Sequence, residues 1–209
     1  MTTLDSVILD VADTAAAEAF HAALGLDDRI RVRASVAPTS GFRAFTLSLI
    51  VAQPSTVNAL LGSAIETGAT VLKPAAKSLW GYGGVVQAPD GTIWKAATSN
   101  KKDAGPVTRR IDEIALLIGV ADVAATKRFY VDYGFVVGKG FGSKYVEFAG
   151  PASGVKLALY GRRALAKDAG VPVEGSGSHR ITLVGDGTAF TDPDGFAWER
   201  APVTARDER

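Results

Sequence analysis

The sequence predicts an α+β protein made of two related modules in tandem, residues 1–104 and 105–209. Two observations support this fold class. Each half opens with a strand pattern followed by a helix pattern, and each half closes with a Pro-Asp-Gly turn and a short strand. Because these landmarks recur in the same order over nearly the whole chain, they indicate an internal duplication.

The openings of the two halves match closely. A strand pattern at residues 4–9 or 111–116 precedes an aspartate, and a helical run then ends at a glycine. An aspartate accepts hydrogen bonds from the free amides of a first helical turn, and glycine suits the residue after a helix. The four landmarks are, in chain order, Asp13, Gly25, Asp122 and Gly134.

The closing segments match as well. Residues 88–95 correspond to residues 192–199, with Pro-Asp-Gly in the same place followed by a strand that carries a tryptophan. Proline presets φ and glycine accepts a positive φ, so this tripeptide predicts a turn. A third correspondence relates residues 45–47 to residues 181–183, and each follows a Ser-Gly pair.

Between these landmarks the halves differ. The first half contains a helix pattern, a strand and a passage rich in aromatic residues and glycine, at 55–68, 69–72 and 80–84. The second half contains two strands and a short helix, at 144–148, 155–160 and 162–169. Residues 99–110 have the composition of an exposed connector, and the charged tail 204–209 is expected to fray.

Composition excludes several classes of function. The chain carries 23 Lys and Arg against 22 Asp and Glu, so a net charge of +1 gives no electrostatic case for binding nucleic acid. It has no cysteine, which excludes disulfides, thiolate metal sites and a cysteine nucleophile. No signal peptide and no apolar run long enough for a membrane span are apparent. We therefore expect a cytoplasmic protein without a membrane or nucleic-acid partner.

Taken together, these motifs resemble the βαβββ module of the vicinal-oxygen-chelate superfamily, which includes glyoxalases, dioxygenases and bleomycin-resistance proteins. The motifs are Val-Ala-Asp, the following helix with Phe-Tyr, and Asp-Pro-Asp-Gly before Trp-Glu at residues 192–199. The resemblance implies two βαβββ modules that form a cup-shaped mixed sheet with helices outside. It also implies a small-molecule ligand in the cup and a homodimer.

The same resemblance places metal ligands on the first strand of a module and four residues after the Pro-Asp-Gly glycine. In the first half these positions hold Ser6 and Lys95, and a protonated lysine cannot ligate a cation. In the second half the closing position holds Glu199, while the first-strand position is either Glu113 or Ala115. We therefore expect no bound metal and no cofactor.

The chain has only two histidines. His21 is predicted to be a half-buried helix residue, while His179 either faces the cup or sits at a solvated strand end. Lys95 and Glu199 occupy equivalent places and are predicted to form an ion pair. Trp94 and Trp198 are predicted to lie in the core. The other candidate ligand-binding residues are aromatic. The aromatic candidates are Trp80, Tyr82, Tyr145 and Tyr160.

Small-molecule binding in the inter-module cup, without an obligatory metal, is the function that these residues favour. One alternative is a metal-dependent enzyme with Glu199 as the catalytic residue, either a glyoxalase-like lyase or isomerase or a dioxygenase. A second alternative is a non-catalytic structural or regulatory module, which a cup packed with side chains would favour. The sequence leaves open whether the chain is an enzyme.

Overall fold

A computed structural model describes residues 1–202, which form four helices and fifteen strands. The helices are α1 (Thr14–Leu24), α2 (Pro54–Glu66), α3 (Val123–Asp132) and α4 (Arg162–Ala169). The strands of the first half are β1 (Leu4–Val11), β2 (Ile30–Ala34), β3 (Thr39–Gly41), β4 (Phe45–Ile50), β5 (Thr70–Ser78), β6 (Gly81–Gln87) and β7 (Ile93–Thr98). The remaining strands are β8 (Glu113–Val120), β9 (Val137–Phe141), β10 (Tyr145–Phe148), β11 (Lys156–Gly161), β12 (Gly175–Gly177), β13 (Ile181–Gly185), β14 (Phe190–Thr191) and β15 (Ala197–Arg200).

The larger sheet has eight strands in the order β5-β6-β7-β4-β8-β11-β10-β9. It consists of two βαβββ units, β4-α2-β5-β6-β7 and β8-α3-β9-β10-β11. In each unit the first strand pairs in parallel with the last, and the two first strands, β4 and β8, pair antiparallel at the centre. This arrangement gives the sheet an approximate twofold symmetry.

The smaller sheet repeats this pattern with fewer strands, in the order β14-β15-β13-β1-β2. At its centre β1 pairs antiparallel with β13, and each of these pairs in parallel with one neighbour, β2 or β15. The first and last segments of the chain therefore share one sheet, so each half contributes strands to both sheets. The boundary near residue 104 stays a prediction.

Strands β4 and β13 hold equivalent places in the two sheets, as the third sequence correspondence suggests. Each is preceded by a residue with a positive φ, 61° at Ala44 and 53° at Arg180. The carbonyl of Ala44 accepts from the amide of Gly119, and the carbonyl of Arg180 accepts from the amide of Asp10. The same backbone connection thus joins each strand to its central partner.

Both predicted helix starts are confirmed. The side chain of Asp13 accepts from the amide of Ala16, and that of Asp122 accepts from the amides of Ala124 and Ala125. Gly25 has φ 70°, the left-handed conformation that ends α1. The predicted helix at 162–169 is α4, with the same bounds.

One core joins the two sheets and the helices. Trp94 and Trp198 are only 1% and 4% exposed, which confirms that they lie in the core. The ring of Tyr130 on α3 contacts Phe148 of the larger sheet and Trp198 of the smaller sheet. The α+β class predicted from the sequence is confirmed. No helix within residues 1–202 has the length and apolarity to cross a membrane, and the predicted frayed tail at 204–209 lies outside the described residues.

Candidate functional site

The concave face of the larger sheet corresponds to the predicted cup. Alternation along the strands places Lys95, Ala115 and Ala158 on this face, because side chains two residues apart share a face. Helix α4 lies across the middle of it: a Cβ on Gly119, which faces the cup, would stand 3.3 Å from the Leu165 side chain. Leu165 is fully buried there. The centre of the cup is therefore filled with apolar side chains, as the structural or regulatory alternative predicts, and open space is left beside α4.

Beside α4, the cup keeps a cavity of about 310 Å³ over β5, β6 and β7. Trp80, in the turn between β5 and β6, borders this cavity and is 82% exposed as a residue. Tyr82 also borders the cavity, but its hydroxyl donates to Asn58 of α2, which packs on the outer face of the sheet. Tyr82 therefore contributes mainly backbone to this wall, while Trp80 contributes an accessible aromatic ring.

The charged groups at the inner end of this cavity come from both halves of the chain. Lys95 forms an ion pair with Asp168 of α4, with 2.9 Å between Nζ and Oδ2. Lys73 donates from Nζ to the carbonyls of Lys167 and Asp168, at 2.7 and 2.6 Å. These carbonyls belong to the last turn of α4, where a cation interacts favourably with the helix dipole. Lys73 and Lys95 thus fix α4 against the cavity.

A second polar cluster lies on the same concave face, beyond α4. Nζ of Lys156 stands 2.7 Å from Glu113 and 3.6 Å from Glu147, so one ammonium joins two carboxylates. The hydroxyl of Tyr145 donates to Glu147 over 3.0 Å, and burial, followed by the charge of Glu147, raises the pKa of Tyr145. Tyr160 is paired with Tyr145 across β10 and β11. The predicted residues 113, 145 and 160 are therefore neighbours.

In the smaller sheet the equivalent face carries Ser6 and Glu199. Ser6 Oγ accepts from Arg31, and Glu199 pairs with Arg33 at 3.0 Å. Arg33 also pairs with Asp10, at 2.8 Å. The predicted ion pair between Lys95 and Glu199 is wrong, because the two residues belong to different sheets and have other partners. Equivalent places in a duplicated sequence became equivalent places in separate sheets.

Strand register decides whether Glu113 or Ala115 takes the first-strand ligand position on β8. Ala115 is paired with Ser48, and Ser6 is paired with Val184 at the corresponding place in the smaller sheet. Ala115 is therefore the counterpart of Ser6. Glu113 lies two residues further along the strand, opposite Ile50.

Comparisons with known proteins agree with this architecture. No family model matches the chain, and no curated protein matches it. The chain is similar in structure to glyoxalase I from Zea mays, with a TM-score of 0.60, 11% identity, and coverage of 95% of this chain and 91% of that one. It is also similar to a putative dioxygenase from Bacillus subtilis, with a TM-score of 0.58, 9% identity, and coverage of 95% and 84%.

The chain has the glyoxalase fold. At this level of identity the likeness establishes the fold and transfers no substrate.

The donor groups at the metal-ligand positions that the sequence resemblance implies do not fit a divalent cation. Lys95 contributes an ammonium and Ala115 contributes no donor atom. Ser6 and Glu199 are held by arginines, which repel a second cation. Within residues 1–202 no three His, Asp or Glu side chains come together in a way that could hold a metal ion.

The two histidines have structural environments in this glyoxalase fold. His179 contacts the carbonyls of Arg43 and Asp194 through its two ring nitrogens, at 2.8 and 3.0 Å, and stacks on Phe196. It therefore connects β13 to the second Pro-Asp-Gly turn and does not face the cup. His21 is half-buried on α1, as predicted, and burial lowers its pKa.

Sequence reasoning missed the partners of the predicted residues, namely Lys73, Asp168, Arg31 and Arg33. The two arginines alternate on β2, and such alternation in a half-buried strand is a signal that could have identified them. Asp168 had no comparable signal, because its contact with Lys95 spans 73 residues of sequence.

Proposed function

We propose that this protein binds a small molecule, without an obligatory metal, in the cavity bordered by Trp80, Lys95 and Asp168. The observation that carries the proposal is the cavity itself: it keeps about 310 Å³ beside α4, with an exposed indole at one end and an ion pair at the other. Ligand sites are commonly concave and mainly apolar, with a few polar groups that fix orientation.

The ion pairs at the implied ligand positions support metal independence. Arg33 pairs with both Asp10 and Glu199, and Lys95 pairs with Asp168, so the carboxylates at these places already have cationic partners. A lyase built around Glu199 has less support, because Glu199 is half-exposed and paired with Arg33. Both residues lie in the smaller sheet, whereas the cavity lies on the larger one. The homodimer and the cytoplasmic location stay predictions.

Fluorescence quenching tests the proposal directly. Trp80 is exposed whereas Trp94 and Trp198 are buried, so iodide quenching of tryptophan emission reports mainly on Trp80. Compounds from a fragment library that raise the melting temperature with EDTA present are expected to shield Trp80 from iodide.

Two variants make this test specific. Lys95→Met is expected to weaken binding of these compounds, while the matched change Lys144→Met, in the exposed β9–β10 turn, leaves binding unchanged. The proposal would be refuted if no compound both raised the melting temperature and shielded Trp80, or if such binding needed an added divalent metal. Conversion of a hemithioacetal by the wild type, abolished by Glu199→Ala, would support the lyase instead.

A further inference from the structure

A second cavity, of about 370 Å³, lies outside the cup where α1 meets the first Pro-Asp-Gly turn. Its apolar wall includes Ala17, Phe20 and Ala88, and its polar wall includes His21 and Arg180. It is on the helix side of the larger sheet, so it is separate from the cavity at Lys95. The internal duplication allows a direct comparison with the equivalent place in the second half.

In the second half, a hydrogen-bonded network fills that place. The carboxylate of Asp194 accepts from the amide of Ala121 and the hydroxyl of Thr126, at 2.7 and 2.9 Å. The hydroxyl of Tyr130 donates to Asp192 over 2.9 Å and accepts from Nε1 of Trp198 over 3.1 Å. Helix α3 is thereby joined directly to its Pro-Asp-Gly turn.

In the first half the residues of this network are replaced. The substitutions remove a hydroxyl, a carboxylate and a phenol, since Ala17 stands for Thr126, Ala88 for Asp192 and His21 for Tyr130. The carboxylate of Asp90, the counterpart of Asp194, accepts instead from the amide and hydroxyl of Thr92 in its own turn. Helix α1 and the turn are therefore separated by the cavity.

Two buried hydrogen-bond donors, on residues that contact the wall of this cavity, have no acceptor within residues 1–202. Nε1 of Trp94, whose ring contacts His21 and Phe20, is buried and has no acceptor among residues 1–202. Nη1 of Arg43 is likewise buried without an acceptor within residues 1–202, while Nη2 of Arg43 donates to the carbonyl of Asp90 in the cavity wall. A buried donor without an acceptor is unfavourable, so these groups favour an acceptor-rich ligand.

We propose that this cavity binds a small organic carboxylate with a compact apolar body. The ligand's carboxylate would replace the acceptor that Ala88 lacks, and its body would pack against Ala17 and Phe20. The guanidinium of Arg180 is held in place by the carbonyl of Ala37 through Nε and Nη2, and its remaining N–H donors can serve the ligand.

Two acidic residues, Asp13 and Asp90, belong to the lining of this cavity, and their carboxylates already have donors. Asp13 accepts from the first turn of α1, and both carboxylate oxygens of Asp90 accept from Thr92. With these acceptors engaged, the remaining N–H groups of Arg180 are the charged donors in the lining, and a carboxylate beside Arg180 is their complement.

Three probes of similar shape and different charge test this inference on the full chain: benzoate, benzamide and benzylamine. Because the chain has two histidines, their imidazole NMR signals are simple to follow. Benzoate is expected to shift the His21 signals and to raise the pKa of His21, since a nearby negative charge favours the imidazolium. His179, with both nitrogens engaged, serves as the internal control.

Calorimetry on variants completes the test. Ala88→Asp restores the missing carboxylate and is expected to weaken benzoate binding at least roughly tenfold, the effect of losing one charge-assisted hydrogen bond. The matched change Ala19→Asp, on the exposed face of α1, is expected to leave the affinity within about twofold. Binding of benzamide or benzylamine as tight as that of benzoate would overturn the carboxylate assignment. Absence of any effect of benzoate on His21 would overturn the site.

Discussion

Replacing Tyr130 with phenylalanine tests whether the polar network in the second half holds α3, the turn and the core together. The hydroxyl of Tyr130 is the only group that this change removes. It donates to Asp192 and accepts from Nε1 of Trp198, and Tyr130, Asp192 and Trp198 are all buried. Tyr130→Phe therefore leaves a buried donor without its acceptor and a buried carboxylate without one of its donors.

The size of the destabilisation follows from these two lost hydrogen bonds. The carboxylate of Asp192 accepts three hydrogen bonds and keeps two of them, from the amides of Asp194 and Phe196. It therefore loses only part of its stabilisation. The indole of Trp198 loses the acceptor that the hydroxyl supplied. With about 1–3 kcal/mol for a buried group left unsatisfied, we expect Tyr130→Phe to lower the free energy of unfolding by about 2–3 kcal/mol.

Urea unfolding followed by circular dichroism measures this change, and a thermal scan should show a melting temperature lower by about 4–12 °C for a chain of this size. Tyr133→Phe is the matched control, because Tyr133 lies on the same helix end and is partly exposed. We expect Tyr133→Phe to stay within about 0.5 kcal/mol of the wild type. If Tyr130→Phe also stayed within that range, the network would not stabilise the fold as described.

Three further predictions concern the first half and the cup. Burial lowers the pKa of His21 in the folded protein. The contribution of His21 to the free energy of unfolding is therefore fully present above the unfolded pKa of about 6.5 and decreases as the pH falls below it. His21→Gln should flatten this pH dependence in urea titrations between pH 5 and 7, about the range in which a histidine titrates. Gly119→Val should cost about 1–3 kcal/mol, because a Cβ there would stand 3.1 Å from the Ala44 carbonyl and 3.3 Å from Leu165, and an unchanged urea midpoint would contradict the placement of α4. Lys95→Met should change the free energy of unfolding by less than about 1 kcal/mol, since the ion pair with Asp168 is partly exposed, and a larger loss would show that the pair is structural.

Local features of the fold could be predicted from the sequence because they depend on neighbouring residues. The caps at Asp13 and Asp122 and the short helix α4 follow from side-chain chemistry within a few positions. The core positions of Trp94 and Trp198 follow from strand alternation.

The long-range arrangement could not be predicted in the same way. Pairing of β1 with β13 joins residues about 175 positions apart, and many alternative pairings satisfy the same alternation. This pairing separates Lys95 from Glu199 and gives them Asp168 and Arg33 as partners. Likewise, the strand pattern left Glu113 and Ala115 equivalent, and only the pairing of β8 with β4 distinguishes them.

Metal content, measured by plasma mass spectrometry on protein purified without a histidine tag, tests the central claim most directly. The claim is that the residues at the implied metal-ligand positions, Ser6, Lys95, Ala115 and Glu199, do not hold a cation, because they lack donor atoms or are paired with arginines. Far less than one equivalent of nickel, zinc, iron or manganese per chain is the predicted result, with a melting temperature that EDTA does not change. About one equivalent of any of these metals, retained through dialysis and stabilising the protein, would contradict the claim.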